Sequence, residues 1–172
     1  MKKYILLLVM VVLGASAAIA QTEPKDTSLL YIRFPIVPSF KLINIGDSTF
    51  KTYFTKDNLK KKTATIIILF SPDCEHCQHE TKEITAKINL FKKAQIVMAS
   101  PMNELMLKMF YDEYKIANYP NITLGRDPSY FLGTFYKVRS FPAIFVYDKK
   151  GNFVDSFSGS VPVEQIAAAL NK

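Results

Sequence analysis

The chain has 172 residues, 49% hydrophobic and 22% charged, with a formal net charge of +7, two cysteines and no tryptophan. This composition excludes wholesale disorder, a collagen-like repeat and a disulfide-dense scaffold. Cys74 and Cys77 stand only three apart, so they form no long covalent staple, and the fold must rest on a core that a chain of this length can bury.

The first twenty residues combine a basic start (Lys2, Lys3), an apolar run from Ile5 to Leu13 and an Ala18-Ile19-Ala20 ending. That is the layout of a secretory signal peptide. It divides the chain into a signal segment (1–20), a linker (21–35) and one domain (36–172). The alternative is an uncleaved anchor over residues 4–20 facing the periplasm, but the run is short for a span of about 20 residues. Without residues 1–20, 20 basic residues face 15 acidic ones and the charge falls to +5. The dense basic run Lys60-Lys61-Lys62 reads as a solvated turn guarding an apolar strand, so no nucleic-acid partner is expected. Export to a periplasmic or otherwise secreted location puts the cysteines where disulfides persist.

Phe40 to Ile45 reads as a strand, with Gly46-Asp47 turning into a second short strand near residues 49–53. Residues 63–70 form a continuous β-branched run with both faces apolar, the mark of a central strand. A helix is predicted from about Cys74 to Lys92, because Cys77, Thr81, Ile84, Ile88 and Phe91 recur at spacings of three and four. A short strand over 95–99 follows. The next predicted helix covers 102–114, with Leu105, Met106, Met109 and Phe110 as its buried stripe. Its three methionines read as core packing. A strand near 122–124 and a helix near 129–136 come next. Strands over 143–147 and 152–157 are joined by Asp148-Lys149-Lys150-Gly151, where Gly151 can supply positive φ. A final helix carries Val163, Ile166, Ala167 and Leu170, with Pro162 in its first turn. This order implies an α/β fold with a mixed sheet between helices.

The chemistry concentrates in Ser71-Pro72-Asp73-Cys74-Glu75-His76-Cys77-Gln78-His79-Glu80. A C-x-x-C at a strand-to-helix junction brings two thiols together in a first helical turn, where free N–H groups and positive potential favour a thiolate. The first cysteine is the better placed nucleophile. The second, one turn in, can attack a mixed disulfide and release product. Asp73 is a candidate helix cap, and its charge would compete with a Cys74 thiolate. Glu75 pushes the same way, and a protonated His76 the other. Glu80 lies at i+3 from Cys77 on the same helical face, placed to take the proton that Cys77 must lose.

With Arg139-Ser140-Phe141-Pro142-Ala143 before a late strand, this chain resembles the thioredoxin superfamily. Pro38-Ser39-Phe40-Lys41-Leu42, C-x-x-C-x-x-E, Tyr119-Pro120 before Asp127, and Asp148-x-x-Gly151 narrow the likeness to its TlpA/ResA-like branch, over roughly 36–172. The resemblance implies a three-layer α/β/α sandwich with a mixed central sheet and an N-terminal β-hairpin extension. It implies that Cys74 is the nucleophile, Cys77 the resolving thiol and Glu80 a proton carrier. It also implies that Pro142 is cis and that Phe141 and Pro142, with Glu75 and His76, line the substrate-binding edge. Ile68 stands where thioredoxins proper carry a buried Asp, which leaves Glu80 as the base. Asp73 stands where many relatives have Trp.

The expected function is a secreted thiol-disulfide oxidoreductase working on protein thiols and disulfides, in the reducing direction, fed by a separate membrane electron donor. Loops near 118–136 would select the partner. No cofactor beyond a redox-active Cys74–Cys77 disulfide, and no metal, is expected. The alternative is a copper-handling protein that binds Cu(I) through the same cysteines, with His76, His79 or a Met completing the site. A peroxiredoxin is disfavoured: Ser71 does precede Cys74 by three, but Ile67 stands where that family's pattern carries Pro.

Overall fold

The β-branched run becomes the middle of the structure, a computed structural model that describes residues 28–172. The signal and anchor readings of residues 1–20 lie outside the described residues. Strand β3 (Ala64–Leu69) is buried at every position. It runs parallel to β4 (Ala94–Ser100), also wholly buried, and antiparallel to β6 (Ala143–Tyr147). Outward from β4 lie β5 (Ile122–Arg126), parallel to it, and then the antiparallel hairpin β1 (Lys41–Asn44) and β2 (Tyr53–Thr55). Outward from β6 lies β7 (Phe153–Ser158). The seven-stranded order is β2-β1-β5-β4-β3-β6-β7.

Side chains alternate across this sheet and divide the core in two. On one face Ile66, Ile68, Ile96, Met98, Ile144 and Val146 pack against helices α2 (Glu75–Ala86), α3 (Glu104–Glu113) and α5 (Val163–Ala169). On the other, Ile67, Leu69, Val97, Phe145 and Tyr147 pack against Leu132 of α4 (Phe131–Phe135), Tyr136, Val37 and Phe40. The expected three-layer sandwich and N-terminal hairpin are both present. Gly125 lets the hairpin close on β5: an added Cβ would stand 2.6 Å from Leu42 Cβ. Gly151 takes φ +84° in the β6–β7 turn, as its place in the sequence predicts. Lys60, Lys61 and Lys62 are exposed, and Gln95 pins their turn by bonding both the N–H and the carbonyl of Lys60.

Four expectations are corrected. Strand β2 starts at Tyr53 rather than near 49, because the Asp47 carboxylate takes the N–H groups of Thr49, Lys51 and Thr52 and holds the intervening chain as a loop. Helix α2 ends at Ala86, and Ile88–Phe91 forms a 3₁₀ turn that keeps Phe91 buried. A spacing of three suits either helix type, so periodicity could not separate them. The buried stripe of α3 is Leu107 and Phe110, whereas Leu105 is 70% and Met109 65% exposed. The linker also contributes structure: residues Leu30–Arg33 form a single helical turn, α1, and Tyr31 packs on Tyr136, Phe145 and Phe153.

Under α1, the Tyr136 and Tyr147 hydroxyls meet at 2.7 Å in the buried layer. Burial pushes both phenols up in pKa, so the pair is neutral. Removing one hydroxyl strands the other. Tyr147→Phe is expected to cost about 1–3 kcal/mol in urea unfolding, and Tyr136→Phe/Tyr147→Phe together less than the sum of the two singles.

Candidate active site

Parallel β3 and β4 both end at one pole, and the chain leaving β3 turns through 70–74 into α2. Phe70 donates its N–H to Ala99 O at 3.1 Å, and Cys74 donates to Ser71 O at 3.2 Å. Gln78 reaches back from the helix and its side-chain amide donates to Pro72 O at 2.8 Å. The Ser71 hydroxyl donates to the Asp73 carboxylate. Asp73 is thereby engaged within its own turn, and the expected cap falls instead to Cys74. Cys74 is the N-cap residue, with extended backbone, and its Sγ accepts the Cys77 N–H at 3.3 Å. That N–H is one of the helix's free donors, and it stabilises negative charge on the sulfur.

The two thiols differ as their order predicts. Both are free, Cys74 half-buried and Cys77 buried. Burial and the hydrogen bond to Cys74 push the Cys77 thiol well above its ordinary pKa. Cys77 is therefore protonated at neutral pH and must lose that proton before it can attack.

The opposite wall comes from the start of β6. The Phe141–Pro142 peptide is cis, Pro142 is buried and Phe141 half-buried. The β3–β6 register sets Leu69 against Ala143, so Pro142 meets the end of β3. The Cys74 thiol donates to the Phe141 carbonyl at 3.7 Å. Glu75 and His76 are exposed in the first turn of α2, as is His79. Among the described residues no group of three or more His, Cys, Asp and Glu side chains is gathered to hold a metal. Cys74, Cys77, Phe141 and Pro142 converge, while Glu75 and His76 flank the site from the exposed first turn of α2.

Glu80 lies behind Cys77 on α2 and is 2% exposed. Its partners come from 80 residues downstream, in the loop between β7 and α5. The Ser160 hydroxyl and the Val161 N–H donate to Oε2 at 2.6 and 3.0 Å. Oε1 is buried with no hydrogen-bond partner. Burial raises the carboxyl pKa, against the two donors that lower it. Gly159, one residue before Ser160, donates its N–H to Pro142 O at 2.8 Å. Sequence reasoning finds Glu80 but misses Ser160 and Val161, since no local pattern marks a contact made across such a separation; it also misses the local brace from Gln78.

A buried carboxyl with a raised pKa favours the folded state when protonated. That contribution is complete below the unfolded value of about 4.3 and is lost as pH rises through the higher folded value. Glu80→Gln keeps the shape without the charge, so it is expected to melt above wild type at pH 7. A penalty of about 1 kcal/mol would appear as ~2–4 °C. The gap should close by pH 4, where the wild-type carboxyl is itself protonated; calorimetry at the two pH values checks this.

A family model described as a thioredoxin-like domain matches residues 54–172. No curated protein matches the chain. Among solved structures, a secreted disulfide oxidoreductase of Mycobacterium tuberculosis, described as homologous to E. coli DsbE, aligns with TM-score 0.62 at 14% identity, over 77% of this chain and 94% of that one. The exposed lipoprotein thioredoxin Etrx1 of Streptococcus pneumoniae aligns with TM-score 0.59 at 21% identity, over 78% and 98%. A peroxiredoxin-like protein from Aquifex aeolicus aligns with TM-score 0.61 at 16% identity, over 79% and 84%. At such identities the likeness is one of fold. With the family model spanning more than half of its length, the chain belongs to the thioredoxin-like domain family.

Proposed function

We propose that the protein is a thiol-disulfide oxidoreductase of the TlpA/ResA-like kind, exported and working as a reductase on protein disulfides. The observation that carries this reading is the stack of a half-buried Cys74, a buried protonated Cys77 and a buried Glu80 with one free oxygen. The Cys74 thiolate attacks one sulfur of a partner's disulfide. The other partner sulfur leaves as a thiolate and takes a proton from water, and a mixed disulfide remains on Cys74. Cys77 then passes its proton to Glu80 and attacks Cys74 Sγ, and the second partner sulfur leaves as a thiolate that takes a proton from water. The partner gains two electrons, and the protein is left with a Cys74–Cys77 disulfide.

Phe141 and Pro142 form the edge along which the partner's chain lies, with Glu75 and His76 beside it. The reducing direction follows the branch that the chain resembles, and acidic Asp73 and Glu75 flank the nucleophile. A membrane electron donor returns the pair to the dithiol, since each reduction of a partner disulfide leaves the cysteine pair oxidised. Export rests on the leader-like residues 1–20; the domain spans 36–172, with Tyr31 of the preceding stretch packed onto it. Two structural relatives are described as secreted and as an exposed lipoprotein. Among the described residues no helix is long and apolar enough to cross a membrane. The peroxiredoxin reading is weakened by Ser71, whose hydroxyl is turned to Asp73.

The assigned roles have a direct test. Cys77→Ser is expected to accumulate mixed disulfides with protein substrates on non-reducing gels, while Cys74→Ser accumulates none. Equal trapping by both variants, or by neither, would overturn the roles.

A further inference from the structure

Helix α3 leaves exposed Met109 beside the turn that leads into the nucleophile. Leu105 and Met109, expected in the core, stand 70% and 65% exposed. Met106, Met109, Phe110 and Glu113 share one helix face at spacings of three and four. With Pro72 and Asp73, the two residues before Cys74, they line a groove of about 170 Å³, room for one aliphatic side chain. Its floor is apolar, and Asp73 and Glu113 stand exposed on its rim. Exposed Glu75 follows just past Cys74. None of these three carboxylates is in an ion pair among the described residues.

We propose that this groove is a specificity site for the polypeptide substrate: it seats an apolar side chain near the substrate's cysteine, and the acidic rim holds a neighbouring Lys or Arg. The proposal rests on the disulfide-exchange reading and names the substrate segment that reading leaves open. Continuity supports it. A chain joined to Cys74 through a disulfide must pass within a few residues' reach of Pro72 and Asp73, so the groove lies beside any covalent intermediate. The chemistry supports it too. Methionine is unbranched and polarisable and adapts to varied apolar partners, which suits a catalyst that meets several substrates. Isolated exposed apolar residues are ordinary, but a contiguous apolar floor with a rim of one charge sign is the form of a recognition site. The proposal thus places a selecting surface on α3 and the Pro72–Asp73 turn.

The test uses the reduced full domain and three cysteine peptides, each supplied as a mixed disulfide with thionitrobenzoate. The peptides differ only at two positions flanking the cysteine: Leu with Lys, Ser with Lys, and Leu with Glu. Cys74 attacks the peptide sulfur and releases the coloured thiolate. Cys77 then displaces the peptide thiol, so one dithiol becomes a disulfide for each substrate disulfide reduced. The Leu/Lys peptide is expected to react about tenfold faster than the Ser/Lys peptide, the usual worth of one aliphatic side chain in a pocket, and faster than the Leu/Glu peptide. In Met109→Glu and in Met106→Ser the Leu-to-Ser ratio should fall toward one. Because the readout is a ratio, a general loss of folded protein cancels. A common rate for all three peptides in wild type, or a ratio that survives both substitutions, would overturn the groove proposal alone. So would a sedimentation shift from dimer to monomer in Met109→Glu with the peptide ratio intact, since the groove would then be covered by a second copy. Failure of the wild type to reduce these peptides and bis(2-hydroxyethyl) disulfide alike would overturn the exchange reading, and the groove with it.

Discussion

Three hydrogen bonds from one short loop hold the site together. Between β7 and α5, Gly159 binds the carbonyl of Pro142, and Ser160 and Val161 bind Oε2 of Glu80. The same loop thus touches the cis-proline wall and the floor behind the cysteine helix. A buried carboxylate without donors carries a large desolvation cost. Here both donors sit on one oxygen, so the charge is tolerable and the other oxygen stays open. That asymmetry suits the proposed use of Glu80 as a proton acceptor. A fully satisfied carboxylate would be a poor proton acceptor, and an unsatisfied one would not stay charged in the core.

The rest of the geometry follows from the sheet. Strands β3 and β4 are parallel and buried on both faces, which forces helical connections and opens a crevice at their carboxyl ends. The cysteine turn occupies that crevice. Antiparallel β6 brings Pro142 to the same level from the other side, through the pairing of Leu69 with Ala143. Placing Cys74 near Phe141 therefore needs no special loop. It is a matter of register, and register is firmly specified where both faces of a strand are buried.

Much of this was legible in the sequence, and the reasons are specific. The run from Ala64 to Leu69 has no reading except a central strand. C-x-x-C at its end marks the site, and the pair Phe141-Pro142 marks the opposing wall. Glu80 is reached by the C-x-x-C-x-x-E resemblance together with its place at i+3 from Cys77. The misses have physical causes. Asp73 looked like the cap, but Ser71 two residues earlier supplies a nearer donor, and capping passes to a cysteine sulfur. In α3, Leu105 with Met109 and Leu107 with Phe110 each make a plausible apolar stripe. Only packing against Phe70 and Tyr114 decides that the second is inside, with ring centroids 4.8 and 4.3 Å from Phe110. Ser160 and Val161 were out of reach because their partner is 80 residues away.

The wholly buried pairing of β3 with β6 has a consequence for how the molecule breathes. Both walls of the site are fixed to the ends of strands in the protein's interior. Such strands exchange their amide hydrogens only through the largest openings, while edge elements such as β2 and α1 fray at little cost. The site therefore belongs to the most slowly opening unit of the chain. A catalyst that alternates between dithiol and disulfide can then change its covalent state without changing its frame.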